Sequence, residues 1–480
     1  MVQKHLTEIF TVIIPAIHLL GMLTAFRAIM DVRTPQGAIA WAISLCTFPY
    51  LALPLYWIFG RNKFNGYVEA LRSAHEESHV RYNEALTQIT QMQARLEGKV
   101  GADLHVLETL GEMPFTRGNN LELLVDGKAT FDSIFAAIDE AKDYVLVQFF
   151  IIRDDELGRE LKTRLIRKAR EGTRIFVLFD EVGSHSLPNR YVHELESEGV
   201  KVSPFRTTRG PNNRFQLNFR NHRKIVIVDG RVAFVGGHNV GDEYLGLDPH
   251  LGPWRDTHVR VTGPAVQCIQ LVFIADWYWA CRELPGIMGN CQPAQSEPVV
   301  NVLVLPTGPA DDKEVCEMFF IQSIQAARNR VWIASPYFVP NAPVLAALKL
   351  AAFRGVDVRI LLPQKPDHIL VYLASFSFIQ ECEQAGVKIF RYQPGFLHQK
   401  VLLVDDEAAT VGTANLDNRS LRLNFEITVI AADRGFASEI AEMLTRDFEN
   451  SHRVTAEDYA KRGMFFKIAV RAARLLDPIL

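Results

Sequence analysis

The chain has 480 residues, 48% of them hydrophobic, with a mean hydropathy of +0.03 and a net charge of −3. That length fits two or three domains, and the apolar content excludes a disordered chain. The missing basic excess argues against a nucleic-acid partner. The six cysteines (Cys46, Cys268, Cys281, Cys291, Cys316 and Cys382) form no C-x-x-C, so they read as unpaired thiols with no zinc site.

Two apolar segments open the chain, at about 9–30 and 37–60. Each is near the roughly 20 residues that cross a bilayer. A buried core helix is the alternative for each, and it has more weight for the first, which carries His18 and Arg27. No small-x-small site separates the two segments, so a cleaved signal peptide is not expected. Trp41, Tyr50, Tyr56 and Trp57 supply an aromatic belt, with Tyr50 awkwardly mid-segment. The short connection predicts a hairpin with both ends on one side. Lys4, Arg61, Lys63 and Arg72 flank the outer ends against Arg27 and Arg33 in the turn, which puts the bulk of the chain in the cytoplasm.

Residues 61–105 read as a polar helical connector, a solvated stalk or an oligomer contact. From about 106 the pattern turns α/β. Tyr144–Ile152 and Thr173–Phe179 are buried-strand runs with a helix at Gly158–Glu171 between them. The second half repeats the order: a helix at Ile321–Asn329, a strand at Val331–Ser335, a helix at Pro343–Arg354 and a strand at Val356–Leu362. A turn glycine, Gly172 or Gly355, precedes the second strand of each half. The Pro/Gly/Gln/Ser-rich stretch Pro285–Val300 marks the boundary between halves. The expected domains are 1–60 (membrane hairpin), 61–105 (connector), 106–290 and 291–455 (the two α/β halves) and 456–480 (an amphipathic helix).

Each half then reaches the same string. His222-Arg-Lys224-Ile-Val-Ile-Val-Asp229 and His398-Gln-Lys400-Val-Leu-Leu-Val-Asp405 both read His-x-Lys-x4-Asp. Both have a Gly seven residues after the Asp (Gly236, Gly412) and an Asn three beyond it (Asn239, Asn415). One such string arises by chance on the order of once per ten thousand positions. Two copies 176 residues apart are an internal duplication of domain size. His and Lys, two apart on a strand, share a face.

Neutral imidazole attacks phosphorus, and a second imidazole moves protons near neutral pH. Two histidines therefore divide the work on a phosphodiester: one forms a phosphohistidine, and the other protonates the leaving alkoxide and deprotonates the incoming alcohol. Lys224, Lys400, Asn239 and Asn415 suit the non-bridging oxygens. Asp256 and Glu426, in matching contexts before apolar runs, are candidates to orient the histidines. A surface salt bridge is the alternative for either. Asp229 and Asp405 belong to the catalytic motif, though fixing the strand-end turn suits them better than touching substrate. No metal or cofactor is called for, since the His and Asp spacing matches no ligand set.

These paired motifs resemble those of the phospholipase D superfamily. Within it the chain is similar to the bacterial cardiolipin synthases, through the hairpin ending Leu-Tyr-Trp-Ile-Phe-Gly-Arg, Asn218–Lys224, Gly236–Tyr244, Pro336–Pro340 and Asn415–Glu426. The resemblance implies an α/β fold of two pseudo-symmetric α/β/α domains after a transmembrane helical hairpin, with one site at their interface. It implies a multi-pass protein of the bacterial inner membrane that condenses two phosphatidylglycerol molecules into cardiolipin and glycerol. By the family assignment His222 is the nucleophile and His398 the acid/base; the residues alone leave that order open. The family favours Ser after the motif Gly, where this chain has Gly237 and Thr413, which puts a hydroxyl contact from the first half in doubt.

A phospholipase D-type hydrolase and a phosphatidylserine-type synthase are the rival enzymes, because no motif says which nucleophile meets the phosphohistidine. A nuclease is disfavoured by the hairpin and the charge, and a dead scaffold by two complete motifs. Lys461–Leu476 sets Lys467, Arg471 and Arg474 on one helical face, which suits either an interfacial helix on anionic lipid or a helix packed on the domain. Oligomeric state stays open, homo-oligomer included.

Overall fold

The computed structural model describes residues 9–32, 34–60, 63–96, 98–209, 213, 216–287, 294 and 299–480. Lys4, Arg33, Arg61, Cys291 and most of the expected 285–300 boundary lie outside the described residues. The five described cysteines are free thiols. The chain divides into two compact units, Met1–Glu69 with Arg206–Phe219, and Ala70–Phe205 with Arg220–Leu480.

The first unit holds helices α1 (Ile14–Asp31), α2 (Pro35–Thr47) and α3 (Pro49–Phe59). The helical stretch Thr11–Asp31 is long and apolar enough to cross a membrane, and most of it is open, as at Phe26 and Met30. Its closed face is built from small residues. Ala25 and Ala28 are buried, and a Cβ on Gly21 would collide with the carbonyl oxygen of Leu45 on α2. The two polar residues that look out of place in this segment both have partners: His18 Nε2 lies 3.1 Å from Tyr50 Oη, and Arg27 Nε lies 3.0 Å from Asp31. The second apolar segment is not one helix. It breaks at Phe48 (φ −138°, ψ 57°), because Pro49 has no N–H to continue α2 and disfavours helical backbone before it.

Helix α4 (Asn65–Gln91) runs through the division between the units. The end of the expected connector is not a free stalk. Val100, Leu104 and Leu107 are buried, and Asp103 and Thr109 meet Gln322, Arg328 and Lys313 of the second half. Apolar residues three to four apart explain this packing.

In the second unit the strands in chain order are β1 (Thr116–Val125), β2 (Tyr144–Phe149), β3 (Arg174–Asp180), β4 (Lys201–Phe205), β5 (Ile225–Val228), β6 (Val232–Gly236), β7 (Thr257–Thr262) and β8 (Val300–Thr307). They continue as β9 (Arg330–Ala334), β10 (Asp357–Pro363), β11 (Lys388–Tyr392), β12 (Val401–Val404), β13 (Ala408–Gly412), β14 (Asn424–Ala432) and β15 (Ser451–Val454). The helices include α5 (Asp126–Glu140), α6 (Glu156–Arg170), α7 (Ala265–Cys281), α8 (Val315–Ala326), α9 (Ala342–Phe353), α10 (Ile369–Ser375), α11 (Asn418–Arg422), α12 (Arg434–Glu449) and α13 (Met464–Arg474).

These strands lie in the order β15-β11-β10-β9-β12-β13-β14-β8-β1-β7-β6-β5-β2-β3-β4. Read outward from the β8–β1 junction, the halves repeat one another, and β15 is the extra edge strand. The halves are thus repeats within one compact unit and one sheet, joined by antiparallel pairing of Thr116 with Val302 and of Asn119 with Val300. Strands β2 and β5 are buried throughout, as continuous apolar runs require when both faces are covered.

The two motif aspartates end β5 and β12 in left-handed turns, with φ of 52° at Asp229 and 51° at Asp405. Asp229 accepts the N–H groups of Lys142, Asp143 and Tyr144 at 2.8–2.9 Å. Asp405 accepts those of Arg328, Asn329 and Arg330 at 2.7–3.0 Å. Each carboxylate therefore staples the loop entering β2 or β9 to the end of its neighbour, about 16 Å along the strand from the motif lysine. Their oxygens are spent on the backbone, which fits the turn-fixing reading of Asp229 and Asp405. Asp229→Ala and Asp405→Ala should each cost about 2–4 kcal/mol of stability, read as a lower denaturation midpoint, while turnover per folded molecule stays within about threefold. A large loss of turnover with an unchanged midpoint would return them to the chemistry.

Candidate active site

Two short parallel ladders cross between the halves. Arg220 and Asn221 pair with Asn424 and Phe425, and Phe396 and Leu397 pair with Trp254 and Arg255. The next residues in register are His222 opposite Glu426 and His398 opposite Asp256. Backbone bonds complete the pattern, His222 N–H to Phe425 O at 2.9 Å and His398 N–H to Arg255 O at 2.8 Å. Each histidine thus meets the carboxylate of the other half. His222 Nδ1 lies 2.8 Å from Glu426 Oε2, and His398 Nδ1 lies 2.7 Å from Asp256 Oδ2.

Both carboxylates are fully buried and held from more than one side. Glu426 accepts from Ser420 Oγ at 2.8 Å and Asn424 Nδ2 at 3.2 Å. Burial pushes its carboxyl up, but His222, Lys224 and the Thr413 hydroxyl outweigh that and hold it below its ordinary range. Asp256 accepts from Thr257 N–H at 2.7 Å and Trp254 Nε1 at 3.3 Å. With Nδ1 on a carboxylate, each imidazole carries its proton there and keeps the Nε2 lone pair. Burial pushes His222 down to about 4 against the pull of Glu426, and it pushes His398 well down with help from Lys400 and Lys224. Both rings are therefore neutral at neutral pH.

The motif lysines are buried beside them. Lys224 Nζ donates to His222 O at 2.7 Å and Lys400 Nζ to His398 O at 2.5 Å. Burial lowers Lys224 well below the usual lysine range and Lys400 to about 8. The Lys400 ammonium adds to the lowering of Lys224, so the two lysines lie near one another. The Phe150 ring lies against His222, while Trp254, Phe396 and Tyr244 surround His398, a drier wall on the second side.

The asparagines are partly engaged. Asn239 accepts Ile151 N–H at 3.1 Å and donates to Tyr244 Oη at 2.8 Å. Asn415 is buried with its Oδ1 unpartnered and its Nδ2 3.5 Å from Asp417. The glycine that replaces the expected serine is a steric necessity: a Cβ on Gly237 would collide with Asp256 Oδ1. Its counterpart Thr413 accepts Ile427 N–H at 2.9 Å, so that hydroxyl serves the backbone behind Glu426.

Sequence reasoning missed Arg223, the residue between His222 and Lys224. Its buried guanidinium donates to Asp276 Oδ1 at 2.7 Å, Glu426 O at 3.0 Å and Thr307 O at 3.1 Å. A lone Asp in the apolar run of α7 was the available signal, since a buried carboxylate requires a partner. The buried pair His238 and His258, with Nδ1 atoms 3.3 Å apart, was also missed, and no periodicity announces it.

Known proteins resemble the chain over nearly its whole length. Residues 134–250 and 320–451 match the family model described as cardiolipin synthase, PLD-like domain, and residues 19–61 match a phospholipase D-nuclease N-terminal model. A cardiolipin synthase A of Pseudomonas putida is 52% identical over 99% of both chains, and one of Pseudomonas fluorescens is 51% identical over the same shares. The crystal structure of a Haemophilus influenzae phosphatidylserine synthase shares the fold, at a TM-score of 0.60 and 15% identity, over 80% of this chain and all of that one. With both catalytic strings, both half-domains and the N-terminal segment matched, the chain belongs to the bacterial cardiolipin synthase family of the phospholipase D superfamily, a family of phosphatidyltransferases.

Proposed function

We propose that the site carries a phosphatidyl group from one phosphatidylglycerol to a hydroxyl of another, giving cardiolipin and glycerol. The crossed pairs His222–Glu426 and His398–Asp256 carry this reading, because they set two neutral imidazoles, oriented alike, beside one pair of buried lysines. His222 Nε2 attacks phosphorus, and the bond from phosphorus to the glycerol oxygen breaks. His398, protonated as the anionic phosphodiester enters and raises its proton affinity, gives that proton to the leaving glycerol oxygen. It then takes the hydroxyl proton of the second lipid, whose oxygen displaces Nε2 and frees the enzyme. Lys224 and Lys400, with the amides of Asn239 and Asn415, neutralise the non-bridging oxygens. We place the helical hairpin in the bacterial inner membrane, both ends and the catalytic unit on the cytoplasmic side; the apolar α1 and the cations Lys63 and Arg72 beyond α3 support that.

His222→Ala and His398→Ala should each lower kcat by about four orders of magnitude. Glu426→Gln and Asp256→Asn should lower it by about two to four orders with KM little changed, measured by mass on phosphatidylglycerol vesicles. Phosphatidic acid formed without cardiolipin would overturn the transfer reading.

Phosphate-labelled phosphatidylglycerol, mixed briefly with enzyme and quenched in alkali, should leave label on the peptide containing His222. Label on the His398 peptide would reverse the two roles, and label on neither would remove the intermediate.

The pH profile follows from burial. A depressed nucleophile pKa moves the acid limb of kcat/KM down, from the usual histidine value towards about 4, since activity is lost only when His222 gains a proton. Lys400, lowered to about 8, adds a fall there to the losses from His398 and Lys224, because it loses the charge that binds phosphate. Lys400→Arg should lift the basic limb while leaving the acid limb in place; an unmoved basic limb would acquit Lys400.

A further inference from the structure

Helix α13 is packed on its inner face and apolar on its outer face as well. Val470 and Ala473 are buried, and Phe466 stacks edge-on against Phe376, whose ring begins the turn after α10. At 3.6 residues per turn, Met464, Phe465, Ile468 and Leu475 fall on an arc of about 100° on the opposite side. They are 71%, 90%, 57% and 82% exposed. An ordinary surface helix turns polar residues outward; this one turns out apolar residues with Lys467 and Arg471 along one margin. Neighbouring α10 continues the apolar surface with Ile369 (68% exposed) and Leu370 (49%).

That surface begins at the rim of the catalytic site. The parallel strand β9 ends at Ala334 opposite Leu361, two residues before the end of β10, and Val401, which follows Lys400, pairs with Ala334. Helix α10 therefore starts at the strand edge where His398 sits. Its N-cap is the exposed His368, beside Asp367, which accepts from Tyr337 Oη at 2.6 Å. His368 and Asp367 are close enough for their charges to act on His398 and Lys400.

We infer that α13 and α10 form a second membrane contact: α13 lies flat in the interface of an anionic bilayer, and α10 leads the lipid headgroup past His368 to the site. This rests on the reading that the substrate is a membrane lipid. At 11 residues α13 is too short to cross the hydrocarbon core, and an apolar face with a basic margin is the pattern of an interfacial helix drawn to anionic headgroups. The carrying juxtaposition is an outward apolar stripe adjoining a rim of the site that bears His368 and Asp367 at a helix start.

The test uses the full chain. The double variant Phe465→Asp/Ile468→Asp and its parent are assayed on phosphatidylglycerol/phosphatidylcholine vesicles of rising phosphatidylglycerol fraction, and on dispersed short-chain phosphatidylglycerol in detergent. The expected result is a KM on vesicles raised about five- to tenfold, with kcat and the short-chain activity unchanged. An unchanged vesicle KM overturns the inference, and so does an equal loss on the short-chain lipid, which would make the face internal packing. An altered sedimentation state in detergent with an unchanged vesicle KM would assign the face to a second copy of the chain. Independently, Phe465→Trp should add emission that brominated phosphatidylglycerol quenches beyond the parent's; no added quenching overturns the membrane contact. A parent inactive on short-chain phosphatidylglycerol would sink the proposed function alone, since the quenching reads the contact without turnover.

Discussion

The candidate site depends on two ladders, each only two residue pairs long. They cross between the halves in parallel register, so the residue after each ladder faces a residue of the other repeat. A histidine and a carboxylate are brought to 2.7–2.8 Å by backbone pairing rather than by side-chain reach. Neither half can then build a complete dyad alone. The duplication survives as two copies because each copy completes the other.

The same crossing explains the electrostatics. Carboxylates with no exposure at all are tolerable only when fully bonded, and Glu426 and Asp256 are. Their burial takes the imidazoles and lysines out of water with them. The rings lose much of their ordinary proton affinity and stand neutral. In the proposed transfer, an incoming phosphodiester anion supplies the missing negative charge, and it meets these groups in a medium that screens little. The glycine at 237 belongs to this scheme, since a side chain there would evict Asp256.

Much of this was legible in the sequence, for reasons that can be named. The grouping of the motif histidines and lysines with Asp256 and Glu426, and the buried strands, could be read because repetition doubled each signal. The crossed partnering was not, because matching contexts in the sequence do not say which repeat a carboxylate faces; only sheet register does. Asp229 and Asp405 belong to the string yet bond the backbone of its turn, as their place at the strand ends suggested. The second apolar segment looked continuous because hydropathy is blind to Pro49, and the connector's end looked solvated because its few apolar residues are sparse. In α13, composition suggested two alternatives, membrane face or packed face, and the helix is packed on one side and exposed and apolar on the other.

The repeats are symmetric in the sheet and unequal at the site. On the first side, Arg223 clamps the strand of Glu426 to Asp276, which also takes Gln148 and Asn221. The equivalent place in the second motif is Gln399, whose Oε1 has no partner and whose amide nitrogen sits 3.5 Å from Met443 Sδ. The second side has its own ion pair, Arg255 Nε with Asp447 Oδ1 at 3.0 Å, and Arg255 also reaches Asp126. There the arginine stands in the partner strand, next to Asp256, whereas Arg223 stands in the motif itself and reaches across to the partner strand. A buried ion pair contributes little net stability, so both are better understood as fixing the register of each histidine with its carboxylate. Each crossed pair is thus pinned by a different arginine, and the two sides differ in how they are held, not in whether they are held.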